Sequence, residues 1–241
     1  MKLFTPLMVA TIGVASFTAN VHAGLVEFTV SGTSAGVPVT SQATFTTSLG
    51  QIALTLQNTT IHTADAGQLL TGLRFTLSPE LTTAATLTSA LAIPRNITSG
   101  GSYTDGTPQS LLGTWESTVS AGVYQLDFNP NAEFAIVGPA DGETASTAGI
   151  YHANGSIEGN PGHNPFTAKS ATFIFSNSQI TEATSIANVF FIYNTALSNV
   201  IPGTVVTTPP PSSVPEPSTA LFGMALLGAC SVVRSRKASI Q

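Results

Sequence analysis

Two short stretches of this chain carry the residue types that metal and acid–base chemistry need. His152, Glu158 and His163, with Asp141 and Glu143 upstream, place two imidazoles and three carboxylates within residues 139–165. Imidazole nitrogens and carboxylate oxygens are donors that zinc takes, so a metal-dependent hydrolase with its site in this loop is one reading. The spacing argues against it: no His-Glu-x-x-His pattern sets two imidazoles on one helical face, and all the ligands come from a loop. The second stretch is Asp127-Phe-Asn129-Pro-Asn131-Ala-Glu133, with oxygen donors at alternate positions as in a calcium loop. Where such a loop needs Gly for its sharp turn it has Ala132, and where it needs a bidentate Glu it has Gly138. A turn at 129–131 joining two strands is the better reading. Gly-x-Ser-x-Gly does not occur, the only cysteine is Cys230 near the C-terminus, and nothing local singles out a carboxylate pair. The sequence therefore assigns no catalytic residue, no metal site and no cofactor.

The elements that must position these residues are strands. Residues 24–30 alternate Leu25 and Glu27 against Val26, Phe28 and Val30. Residues 43–47 and 52–56 alternate again, with Leu49-Gly50-Gln51 as their hairpin link. Further strands are expected at 73–77, 115–119, 123–128, 134–137, 171–175 and 188–193. Helical periodicity appears only weakly at 81–91, in a stretch rich enough in Thr to be another strand. Short strands punctuated by Gly, Pro, Asn and Asp, without interleaved helices, predict an all-β fold, an antiparallel β-sandwich or jelly roll. Residues 139–165 interrupt the pattern as a long Gly/Asn/His loop. No fixed-period repeat is present, which argues against a solenoid or propeller.

Composition narrows the function classes. Charged residues make up 8% of the chain, against about a quarter in ordinary soluble domains, and Thr, Ser, Asn and Gln supply the polarity instead. Between residues 24 and 206 the only cations are Arg74, Arg95 and Lys169, set against eleven acids, a net charge of −8 with histidine neutral. Three scattered cations do not neutralise a run of phosphates, so nucleic acid is not an expected partner. An anionic membrane surface is disfavoured for the same reason. With no cysteine in this stretch there is no internal disulfide, and stability rests on a core that some 180 residues are long enough to build. Asn58-Thr-Thr60, Asn96-Ile-Thr98 and Asn154-Gly-Ser156 match the glycosylation sequon, as chance readily allows in a chain so rich in Asn, Ser and Thr.

Both ends read as addresses. Met1-Lys2 followed by an apolar stretch at 3–17 forms a signal peptide over 1–23, and Val21 and Ala23 are the small residues expected before cleavage at Gly24. A Pro/Thr/Ser-rich linker is expected at 207–214 after a body at 24–206. The tail, 215–241, runs Pro215-Glu216-Pro217-Ser218, an apolar stretch at 219–233, then Arg234-Ser235-Arg236-Lys237. Fifteen apolar residues in a helix rise about 22 Å, short of a hydrocarbon core of about 30 Å. Extension to Ser218 and snorkelling of Arg234 bring a transmembrane helix at 218–233 to a marginal span. Arg234, Arg236 and Lys237 act as its cytoplasmic stop, which leaves the body outside.

That order of Pro-Glu-Pro, Leu/Gly/Ala-rich helix and basic end resembles the PEP-CTERM sorting signal of exported bacterial proteins, over about a tenth of the chain. The resemblance implies an exosortase-type processing enzyme as partner, acting at Pro215, Glu216 and Pro217. It also implies inner-membrane anchoring before processing, then the cell surface or extracellular matrix of a Gram-negative bacterium. The same terminal segment occurs on some ice-binding proteins, so it implies a route and not an activity. Three functions are weighed. A structural or adhesive component of the surface or exopolysaccharide matrix, without catalysis, is favoured, and exopolysaccharide is the partner it expects. A glycan- or ice-binding module is the alternative: Trp115, Tyr103 and Tyr124 are candidates to stack sugars, while Thr44 and Thr46 form only an isolated pair for ice. The loop hydrolase comes last.

Overall fold

The computed structural model describes residues 24–128, 133–197 and 199–206. The expected signal peptide with Val21 and Ala23, the linker, and the tail residues Pro215, Glu216, Pro217, Arg234, Arg236 and Lys237 lie outside the described residues, as does the expected turn at 129–131. What is described is all-β, with a 3-10 turn at Ala66–Gln68 and no α-helix among the described residues.

The strands are β1 (Gly24–Ser34), β2 (Val37–Ser48), β3 (Gln51–Asn58), β4 (Leu70–Ser78), β5 (Thr86–Ile97), β6 (Tyr103–Asp105) and β7 (Gln109–Ser110). They continue with β8 (Trp115–Ser120), β9 (Val123–Phe128), β10 (Ile136–Val137), β11 (Phe166–Ser176), β12 (Ser185–Tyr193), β13 (Asn199–Pro202) and β14 (Thr204–Val206). One group runs β14-β1-β2-β3-β11-β5, with β6 and β7 along β5, and another runs β13-β12-β4-β9-β8. The two-residue β10 pairs with β4 on one side and β11 on the other, so a single large mixed sheet results, consistent with a β-sandwich.

The alternation read in the sequence fixes which side chains point inward. Ala43, Phe45 and Thr47 of β2 lie opposite Leu56, Leu54 and Ile52 of β3, and all six are buried. A slip of one residue would turn this whole set to solvent, so the hairpin register is strongly specified. Its link is the two-residue turn Leu49-Gly50, where Gly50 takes a φ of +78° that side-chain-bearing residues avoid. The two strand groups meet at Phe75 on β4. Its ring centroid lies 5.2 Å from Phe45 on β2, 5.6 Å from Phe175 on β11 and 5.2 Å from Tyr124 on β9. Each such ring contributes about 2–3 kcal/mol of burial, which is how the body stands without a disulfide.

Several expectations are corrected. The sheet is not purely antiparallel, because β10 runs parallel to β11. The Thr-rich stretch at 81–91 is strand from Thr86 onward, as its composition allowed, and β5 runs further than expected, through Pro94 to Ile97. The strands β6, β7, β13 and β14, of two to four residues, went unread. Elements this short have no period of their own and exist because a longer partner offers a ladder. The expected strand at 134–137 shrinks to Ile136–Val137, since Phe134 sits at a φ of +65°.

Residues 139–165 form the expected long loop, without strand or helix, but the loop is packed. Tyr151 and Ile157 are fully buried and join Leu69, Ile97, Ala135, Val137, Ala140 and Phe166 in a second, smaller core. Gly101 lets the chain close here: a Cβ on it would stand 1.9 Å from the Tyr151 carbonyl oxygen.

Candidate functional site

The densest cluster of charged groups among the described residues centres on Arg95 of β5, which is completely buried. It enters the interior because β5 slips against β11 on passing Pro94, bringing Arg95 into step with inward-facing Ile97. Its Nε and Nη2 donate to the two carboxylate oxygens of Asp105, both at 2.7 Å. Its Nη1 and Nη2 donate to Glu143 at 2.8 and 3.0 Å, and Nη1 also donates to the Tyr151 hydroxyl at 2.9 Å. These five bonds use all five guanidinium N–H groups. The Tyr103 ring covers the plane, 3.7 Å from the guanidinium carbon, and Tyr151 passes the chain on by donating to the Gly138 carbonyl at 2.7 Å.

Glu143 is equally saturated. One oxygen accepts from Arg95 and Lys169, the other from Arg95 and the Ala140 amide. Burial works to raise its pKa, but the bonds from Arg95, Lys169 and Ala140 outweigh that and hold it at about 2. Burial likewise opposes the charge on Arg95, yet Asp105 and Glu143 drive its pKa above the ordinary value. Burial raises the Tyr151 hydroxyl, against the opposing pull of Arg95, so it stays protonated. Isolated buried charges each cost several kcal/mol of desolvation, and here paired, fully bonded partners offset it. The cluster's buried members, Arg95, Glu143 and Tyr151, are bonded to one another and to their neighbours, while Asp105 and Lys169 are partly exposed. The cluster is a clasp that ties 139–165 to β5, β6 and β11.

The sequence candidates are therefore dispersed among structural roles. Glu143 belongs to the clasp. Asp141 is exposed, and its backbone bridges Ile150 in both directions at 3.0 Å. A Glu158 oxygen accepts from the Ala153 amide at 2.9 Å. His163 Nδ1 lies 2.6 Å from the Ser156 carbonyl oxygen, which makes that nitrogen a donor. His152 meets His62, ring centroids 5.6 Å apart, rather than His163. Among the described residues no group of three His, Cys, Asp or Glu is placed to hold a metal ion. In the calcium-like stretch, Asp127 is hydrogen-bonded by Gln125, and burial raises its pKa despite that bond and the nearby charge of Arg74. Asn58 of the first sequon is fully buried and bridges three segments, so the folded chain does not present it.

Two of the three aromatic candidates turn inward, and Tyr103 is half-buried. Trp115 is fully buried and donates to the Phe134 carbonyl at 3.2 Å, Tyr124 is 3% exposed, and Tyr103 caps Arg95. Thr44 gains partners the sequence did not show: it aligns with Thr55 of β3 and Thr172 of β11 across adjacent strands. The row ends at Glu27 and Leu91, and the next ones hold Ala53 or Gln57, so no extended threonine lattice forms. A concavity of about 550 Å³ opens between β8 and the start of β5 and is lined by Leu87, Leu112, Trp115 and Val119 with Ser117 and Glu116.

The clasp was missed because Arg95 was counted only as a net charge. The available signal was a lone cation in step with apolar positions of a strand.

In comparison with known proteins, no family model matches the chain, no curated protein matches it and no solved structure matches it. The likeness of 215–241 to a sorting signal thus rests on its tripeptide, apolar run and basic end alone. Among the described residues no helix is long and apolar enough to cross a membrane, and the tail is not among them.

Proposed function

We propose that this chain is an exported protein, sorted by a PEP-CTERM-type tail and delivered to the cell surface or extracellular matrix as a structural component without a catalytic step. The body is a β-sandwich whose leaves are the two strand groups, held off the membrane by the linker until an exosortase-type enzyme acts at Pro215, Glu216 and Pro217. The observation that carries the reading is the order of Pro215-Glu216-Pro217, apolar run and basic end in the tail. Among the described residues the body at 24–206 is all-β. The first and last strands are neighbours, with Glu27 opposite Val206. Also in favour of a non-catalytic body, the buried ionisable groups around Arg95 are saturated by one another.

Glu216→Ala in the full chain, expressed in a host that carries the processing enzyme, is expected to leave the protein in the inner membrane at full size. Release of that variant at the wild-type size and rate would refute the sorting reading.

A further inference from the structure

Most aromatic rings of the described body are buried, and Tyr103 and Phe134 are half-buried. Phe190 of β12 is 36% exposed, while Trp115, Tyr151, Tyr193 and most phenylalanines are buried. Phe190 faces out beside a β-bulge, where the pairing of β12 with β4 jumps between Ala187 and Phe190. Asn188 in that bulge has a φ of +51°. Bulges that re-aim a side chain, and residues held at positive φ, gather at functional positions. The ring borders an open cavity of about 320 Å³, lined also by Arg74, Thr76, Val123, Asn188 and Val200.

The polar groups at this cavity are held in place before any ligand arrives. Phe190 pairs with Arg74 of β4, which pairs in turn with Gln125 of β9. Arg74 Nε donates to Gln125 Oε1 at 2.6 Å, and Gln125 is fixed from its other end by Asp127. Asn188 Nδ2 donates to Thr76 Oγ1 at 3.1 Å. Among the described residues the two terminal nitrogens of Arg74 carry no hydrogen bond.

From this arrangement we infer that the outer face of the β12-β4-β9 sheet is a binding site for an uncharged polysaccharide. A sugar ring offers C–H groups on a face and hydroxyls around its edge. An exposed aromatic ring takes the face, and planar, pre-oriented amide and guanidinium groups take the hydroxyls. Charge selects the neutral polymer. Arg74 stands beside Asp127, with Glu116 opposite Asp127 on the same face, and the body is net negative. An acidic polymer would be repelled. The site deepens the matrix reading by naming what the body would hold, though binding by purified protein is independent of sorting.

The test is affinity electrophoresis of the full chain in mild detergent through gels containing neutral glucans or galactans, or the acidic polymers alginate and polygalacturonate. Retardation by at least one neutral polymer is expected, and none by the acidic ones. Phe190→Ala should weaken it by about tenfold or more, from loss of most of the ring's contact area, while Phe190→Trp retains it. Circular dichroism of both variants checks that folding is intact. Wild-type protein unretarded by every neutral polymer would overturn the inference, as would retardation that Phe190→Ala leaves unchanged or stronger retardation by the acidic gels. A wild-type dimer in sedimentation that Phe190→Ala dissociates would also overturn it, assigning the face to a second copy. Failure here with Glu216→Ala still blocking release would leave the sorting reading standing.

Discussion

Replacing Arg95 by methionine would leave a similar volume but remove the only positive charge between Asp105 and Glu143. Glu143 is 6% exposed at its side chain, and it would keep only Lys169 and the Ala140 amide. The Tyr151 hydroxyl would lose its donor, and the Tyr103 ring would lose the guanidinium it covers. Breaking a buried charge pair from one side costs about 3–5 kcal/mol, a large part of the roughly 5–15 kcal/mol that holds a typical domain folded. For a body of this size each kcal/mol moves the melting temperature by about 2–4 °C, so Arg95→Met should melt about 6–20 °C below wild type. Thermal unfolding followed by circular dichroism reads this. Limited proteolysis should show cleavage appearing first within 139–165, the segment the clasp holds. Glu143→Gln gives an independent check through pH. The Glu143 carboxyl lies at about 2 when folded, below its ordinary 4.5, so its contribution is complete above pH 4.5 and is lost as pH falls from there through 2. That displacement corresponds to about 3 kcal/mol. The gap in urea stability between wild type and Glu143→Gln should therefore be wide at pH 7 and nearly closed at pH 2. A melting temperature for Arg95→Met within a degree of wild type, or a gap that does not narrow in acid, would show that the clasp is not what secures this segment.

Two further substitutions probe how the body is tied together. Asn58→Ala removes donors to the Gln68 and Ile136 carbonyls, both at 2.8 Å, and the acceptor for the Thr60 amide. Chemical denaturation should show a loss of about 2–4 kcal/mol, since three backbone groups lose partners in the interior. Tyr193→Phe strips the hydroxyl that bonds Ser41 across the core at 2.7 Å, and the predicted loss is about 1–2 kcal/mol. Adding Ser41→Ala to it should recover part of that loss, because the orphaned hydroxyl is then gone; a double variant weaker than either single one would contradict this.

Strands were legible where a period had room to repeat. Residues 123–128 were read with the bounds the structure gives, and 43–47 and 52–56 lie inside longer strands whose burial alternates as the sequence does. The loop at 139–165 was legible, but its order was not, for a definite reason. Its order comes from Tyr151 and Ile157 packing on Leu69, Ile97 and Phe166, residues distant in sequence, and from an arginine on another strand. The metal and calcium candidates share the same weakness. Donor types were visible, but whether donors converge depends on how the backbone turns between them, and the structure sends His152 towards His62 while His163 bonds the Ser156 carbonyl.

The sequence alone determined the all-β character, the weak charge of the body and the grammar of both terminal segments, because each depends on local alternation or on composition. Tertiary structure decided which polar residues are spent on holding the body together and which remain available. Arg95 and Arg74 both sit on strands as single cations, yet a register slip near Pro94 buries the first among carboxylates, while a bulge in β12 leaves the second beside the exposed Phe190. That difference is set by which strands lie alongside, a matter of long-range pairing that no local window of residues contains.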